Sequence, residues 1–206
     1  MDHKTTCIIL RRIPYREKSL IVHTFTRECG RIDLMLKGGR NISSTHFPSA
    51  ELFRLFFLEF SQHDSGTRAS ASDLYNPKVM EYAGNFDAIA RHTENYLVMC
   101  EYASFLLKHT ASFLALPETF DSLLLLLDRM ARGTAGAFDV SAAKLVFLNE
   151  SGLLPENTGE ADRNALLREI LAYALRKDTA KPSFSPGYEK KLTEWVKALC
   201  CYHGLV

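Results

Sequence analysis

The spacing of apolar residues changes once along this chain, at Asn76-Pro77, and that change divides what the chain can fold into. Before it, apolar residues recur with a period close to two, which places them on one face of a strand. After it the period is 3.6, which draws a stripe along a helix. The order predicts an α+β protein: an N-terminal β-barrel domain over residues 1–78 and an all-helical domain over 79–206.

The strands can be placed one by one. Thr5–Arg12 and Leu20–Thr26 are rich in β-formers. Arg27-Glu28-Cys29-Gly30 follows as a short connection ending in the glycine that a tight hairpin uses. Arg31–Lys37 alternates, with Ile32, Leu34 and Leu36 on one face and Arg31, Asp33, Met35 and Lys37 on the other. Residues 38–46 read as a loop by composition. Leu52–Phe60 is apolar on both faces and reads as a central strand, and Thr67–Tyr75 as the fifth. Five short strands suit a small closed or nearly closed barrel: a five-stranded OB-fold first, an SH3-like barrel as the runner-up.

Beyond Pro77, Tyr96, Met99/Cys100, Ala103, Leu106/Leu107, Thr110 and Phe113/Leu114 mark one stripe of a long helix. Pro117 starts the next and Gly133 stops it. Further helices are expected near Val140–Asn149, over Ala161–Lys177, and over Tyr188–Tyr202, where Leu192, Trp195, Val196 and Leu199 share a side.

Charge is distributed unevenly. Residues 1–78 hold 12 Lys and Arg against 8 Asp and Glu, while residues 79–206 hold 13 against 16, within a total of +1. A polyanion contact therefore belongs to the first part. Met1–Thr6 is polar and the apolar run Cys7–Leu10 has four residues, so no signal peptide is expected. The apolar stretch Ser122–Leu127 falls far short of the ~20 residues of a membrane span. Five scattered cysteines (Cys7, Cys29, Cys100, Cys200 and Cys201) write neither a disulfide framework nor a zinc knuckle, and suit a reducing cytoplasm. The sequons at Asn41 and Asn149 then carry no glycan.

For catalysis the candidates are few. Cys200 and His203 stand three apart and can share a helix face, but one Cys/His pair makes neither a zinc site nor a triad. Phosphate-binding, zincin and nucleophile-elbow motifs are missing, and Gly38-Gly39 does not open a helix. The expected protein has no catalytic residue, no metal and no cofactor. The denser constellation is basic: Arg11, Arg12, Arg16, Lys18, Arg27, Arg31, Lys37 and Arg40 fall in strands and turns that a small barrel gathers. Cations on a rim meet phosphates, and Tyr15 is placed to stack on a base, while Phe25 is better read as core.

The stretches Tyr15-Arg16-Glu17-Lys18-Ser19-Leu20-Ile21-Val22, Thr24-Phe25-Thr26-Arg27-Glu28-Cys29-Gly30-Arg31-Ile32 and Lys37-Gly38-Gly39-Arg40 resemble, in order and spacing, the N-terminal barrel of the bacterial RecO family. Gly152-Leu153-Leu154-Pro155-Glu156 and Tyr202-His203-Gly204 are similar to segments of that family's helical domain. The resemblance implies an OB-fold that binds single- and double-stranded DNA and promotes annealing and loading in RecF-pathway repair. It also implies RecR and the single-strand DNA-binding protein as partners, in a bacterial cytoplasm at the nucleoid. Carried onto this sequence, the DNA-binding residues are Arg12, Arg16, Arg27, Arg31, Lys37 and Arg40. Many family members carry a four-cysteine zinc module where this chain has Asn157–Asp162 without cysteine, so zinc is not expected. The other reading is a protein-interaction adaptor on the same fold, with weak or no DNA binding.

Overall fold

The computed structural model describes residues 1–40, 49–62, 74–155 and 161–205. Among them run β1 (Asp2–Tyr15), β2 (Ser19–Thr26), β3 (Gly30–Leu36), β4 (Arg54–Ser61), β5 (Leu74–Tyr75) and β6 (Pro77–Asn85). After a 3-10 turn at Asp87–Arg91 come α1 (Thr93–His109), α2 (Pro117–Ala131), α3 (Ala137–Glu150), α4 (Ala161–Leu175) and α5 (Tyr188–Tyr202). The chain forms two compact units: Met1–Asp87 with Leu106–Ala115, and Ala88–Phe105 with Leu116–Val206.

In the first unit one sheet has the order β5-β3-β2-β1-β4-β6. β1 is long enough to pair with β4 through Asp2–Ile8 and with β2 from Cys7 to Tyr15, and a bulge between Ile9 and Arg11 bends it. β5 lies parallel to β3; the other neighbours are antiparallel. The hydrogen-bonded ladder is not closed, yet its two end strands are successive stretches of chain separated by Asn76 alone. This is a partly open Greek-key barrel of the OB type whose fifth strand is broken in two.

One expectation needs correction here. Helical character does not begin at residue 79: pairing with β4 continues to Asn85. Pro77 opens β6, where its missing N–H costs no ladder bond. Two register shifts against β4 leave Lys78 and Val79, then Glu81 and Tyr82, exposed as adjacent pairs, which erases the period-two signature. Residues 67–73 of the expected fifth strand, and 41–46 of the expected loop, lie outside the described residues.

The barrel interior is the alternate face of these strands. Cys7 and Ile9 of β1, Val22 of β2, Ile32, Leu34 and Leu36 of β3, Phe56, Leu58 and Phe60 of β4 and Met80 of β6 form one buried cluster. Each large side chain so buried contributes about 1.5–3 kcal/mol. Burial pushes the Cys7 thiol up to about 12, so it stays protonated and acts as an apolar filler.

Leu106–Ala115 completes this unit. α1 stops at His109, and the expected continuation of its stripe through Phe113/Leu114 is instead an irregular return segment. Phe113, at φ +61°, sets its ring 5.4 Å from His3 and 5.8 Å from Tyr75, and packs against the interior cluster. Its N–H donates to the Cys29 carbonyl at 2.7 Å, the Arg31 N–H donates to the Ala111 carbonyl at 3.2 Å, and Gly30 bridges to Ser112. Gly30 is required at this crossing. Its φ is +63°, and a Cβ there would lie 2.3 Å from the Leu114 oxygen and 2.4 Å from the Ala111 oxygen.

In the second unit α3 is buried on nearly every side and packs against α2, α4 and α5. Its ends carry the polar stitching. Glu150 accepts the N–H groups of Glu118 and Thr119 at 2.9 and 2.7 Å, capping an α2 that has Pro117 at its start and no cap of its own. Asp139 accepts the Gly136 N–H and the Tyr173 hydroxyl, and Arg129 lies 3.9 Å over the Tyr173 ring. Gly133, at φ +70°, follows α2 as the sequence predicts, and α5 has the predicted limits. Among the described residues, no helix is long and apolar enough to cross a membrane.

Candidate nucleic-acid interface

Strand register sorts the basic residues by position. Tyr15 faces Ser19 where β1 turns into β2, and Leu20 faces Leu36 where β3 ends, so the Arg16–Lys18 turn and the Lys37–Arg40 segment share one end of the barrel. Arg40 holds them together. Its backbone N–H donates to the Lys18 carbonyl at 3.2 Å, and its Nη1 donates to the Arg16 carbonyl at 2.9 Å. Arg16, Lys18, Lys37 and Arg40 are exposed there. Arg16 takes φ +52° and lays its guanidinium 5.3 Å from the half-buried Tyr15 ring. Four cations beside one aromatic ring can grip a phosphate backbone and offer a face to a base.

The strain at Arg16 makes it a clean probe. A non-glycine residue in the left-handed region costs about 1–2 kcal/mol, part of which glycine relieves. Arg16→Gly is therefore expected to hold or raise stability, within about 1 kcal/mol, while removing one cation from the cluster. Thermal melts beside oligonucleotide anisotropy separate the two effects; a lowered melting temperature contradicts the account of the turn.

The other expected site residues have different surroundings. Arg12, in β1, is paired with Glu51. Arg27 and Arg31 stand at the opposite end of β2, across the second hairpin. Arg27 is 3.6 Å from Glu28. Arg31 Nη1 donates to the Leu107 carbonyl at 2.8 Å, in the last turn of α1, where a backbone oxygen has no helical partner. Cations that satisfy helix-end carbonyls look the same in sequence as cations that await phosphate. Phe25 is fully buried.

Among the described residues, no group of three or more His, Cys, Asp and Glu could hold a metal ion. Residues 157–160, within the cysteine-free stretch Asn157–Asp162, lie outside the described residues. Cys200 is buried and burial raises its thiol above the usual range, while His203 packs edge-on against Tyr202. That is a poor start for a nucleophile.

One surface escaped the sequence reading. Leu52–Phe60, read as buried on both faces, exposes Phe57 by 56%. Phe57 stands between Thr6 of β1 and Glu81 of β6 in a groove on the outer face of the sheet. The available signal was the strand's doubly apolar pattern, which fits an exposed apolar patch as well as a central strand.

A partly open barrel with a cationic turn end defines a small OB-type domain. Residues 1–74 match the family model described as recombination protein O N terminal. Proteins named DNA repair protein RecO are similar over parts of their length. That of Chlorobium phaeobacteroides strain BS1 is 33% identical over 95 residues, 44% of this chain and 36% of the relative. That of Chlorobium luteolum is 53% identical over 38 residues, 18% and 14%. That of Vibrio cholerae is 39% identical over 64 residues, 31% and 27%. The match with each relative thus spans little more than a third of its length, or less. What is similar to the RecO family is the N-terminal domain, over residues 1–74.

Proposed function

We propose that this chain is a non-enzymatic recombination mediator that binds single- and double-stranded DNA through the turn end of its barrel. The observation that supports it best is the pair of bonds from Arg40 to the Arg16 and Lys18 carbonyls, which gathers cations from two separate turns onto one rim. Lys37, Lys18 and Arg16 take phosphates, Arg40 holds the turns in place and adds its charge, Tyr15 offers the stacking face, and Arg12 is an outlying contact. In this reading Arg27 and Arg31 hold the second hairpin in place. Strand annealing and loading in RecF-pathway DNA repair follow from such a rim, which neutralises two strands without reading their bases. RecR and the single-strand DNA-binding protein are the partners, and the bacterial cytoplasm, at the nucleoid, is the compartment. No cofactor takes part.

The test is a salt titration of binding to labelled single- and double-stranded oligonucleotides, with an annealing assay run with and without single-strand DNA-binding protein. Micromolar or tighter binding at low salt is expected. Log affinity against log salt should fall with a slope of roughly −2 to −3 on single strands, from three or four phosphates at ~0.7 each. Flat binding curves at low salt would reject this reading in favour of an adaptor that keeps the fold without the DNA.

A further inference from the structure

The outer face of β1, β4 and β6 differs from the turn end in both polarity and charge. Its groove, about 490 Å³, is floored by Phe57 and flanked by Val79 and Thr6. Phe57 is 56% exposed and Val79 38%. Three carboxylates, Glu28, Glu59 and Glu81, line it against one ammonium, Lys4. Lys4 is committed to Glu59 at 3.1 Å, and Arg27, at the edge, is 3.6 Å from Glu28. Glu81 has no cationic partner among the described residues.

Phe57 and Val79 together give a partner's apolar side chain a surface to cover in mid-sheet. The carboxylates repel a nucleic-acid backbone and select the opposite charge. We infer that this groove is a docking site for a cationic protein segment, one that lays an apolar side chain on Phe57 and Val79 and a lysine or arginine against Glu81. The polyanion and the polycation then bind different parts of the same barrel.

The probe is a dye-labelled decapeptide of alternating lysine and leucine, with the glutamate-leucine peptide as its control, titrated into the full chain by fluorescence anisotropy. Saturable one-to-one binding is expected for the lysine peptide alone. Phe57→Ser and Glu81→Lys should each weaken it at least about fivefold, the loss typical of removing an anchor from a contact patch. Both side chains are exposed, so both variants should melt as the parent does and bind oligonucleotide at least as well. Equal binding to parent and Phe57→Ser overturns the assignment, as does equal binding to parent and Glu81→Lys; weaker oligonucleotide binding by Phe57→Ser would give this surface to nucleic acid.

Discussion

Gly30→Ala is expected to destabilise the protein by about 3 kcal/mol or more, a loss of roughly 6–12 °C in melting temperature for a chain of this size. The methyl group would meet the Leu114 and Ala111 carbonyl oxygens at 2.3 and 2.4 Å. Backbone cannot rotate away as a side-chain tip can. Relief requires the return segment to lift, breaking the hydrogen bonds from Phe113 to Cys29 and from Arg31 to Ala111 at about 1 kcal/mol each. It also withdraws the Phe113 ring from the interior cluster. Gly152→Ala is the matched control: Gly152 has φ +69°, but nothing lies within 4 Å of its would-be Cβ. It should lose only the left-handed penalty of about 1 kcal/mol. Equal melting temperatures for the two variants would show that the close approach at Gly30 contributes nothing.

The largest functional effect is expected from reversing Lys18 and Lys37 together. Both are exposed, and neither forms an ion pair with a described residue, so Lys18→Glu/Lys37→Glu should change stability by no more than about 0.5 kcal/mol. Arg40 is left intact because its guanidinium holds the Arg16 carbonyl, and its loss would confuse a missing charge with a loosened turn. Single-strand affinity should fall at least about tenfold, and the salt slope should shrink by about 1.4, two phosphate contacts at ~0.7 each. Lys190→Glu/Lys197→Glu makes the same change in net charge on α5. If that variant loses as much affinity, the turn end is not the site and only overall charge matters.

Much of the barrel could be read from sequence because β2 and β3 each bury one face and alternate over most of their length. Leu20–Thr26 was expected and Ser19–Thr26 is found; Arg31–Lys37 was expected and Gly30–Leu36 is found. The last strand was missed because its alternation is spoiled by two bulges and its first residue is a proline, a combination that looks like a linker. Phe113 was misread for the opposite reason. Its spacing continues the α1 stripe faithfully, but from Leu106 on the stripe serves a different unit. For the site, sequence could count cations and could not say which ones are held. Arg31 and Lys37 sit on the same face of one strand by alternation, yet Arg31 reaches a helix-end carbonyl and Lys37 points to water. The difference comes from a residue 76 positions away, and no local pattern encodes it.

The return segment also has a consequence in time. A chain made from its N-terminus has all the strands of the barrel once Asn85 has been added, but the residues that cap the open end are complete only at Ala115. At ordinary translation speeds of about 5–20 residues per second, that leaves roughly 1–6 s in which the nascent barrel has a bare aromatic mouth at His3, Phe60 and Tyr75. A fragment ending at the last strand would carry the same exposed mouth permanently.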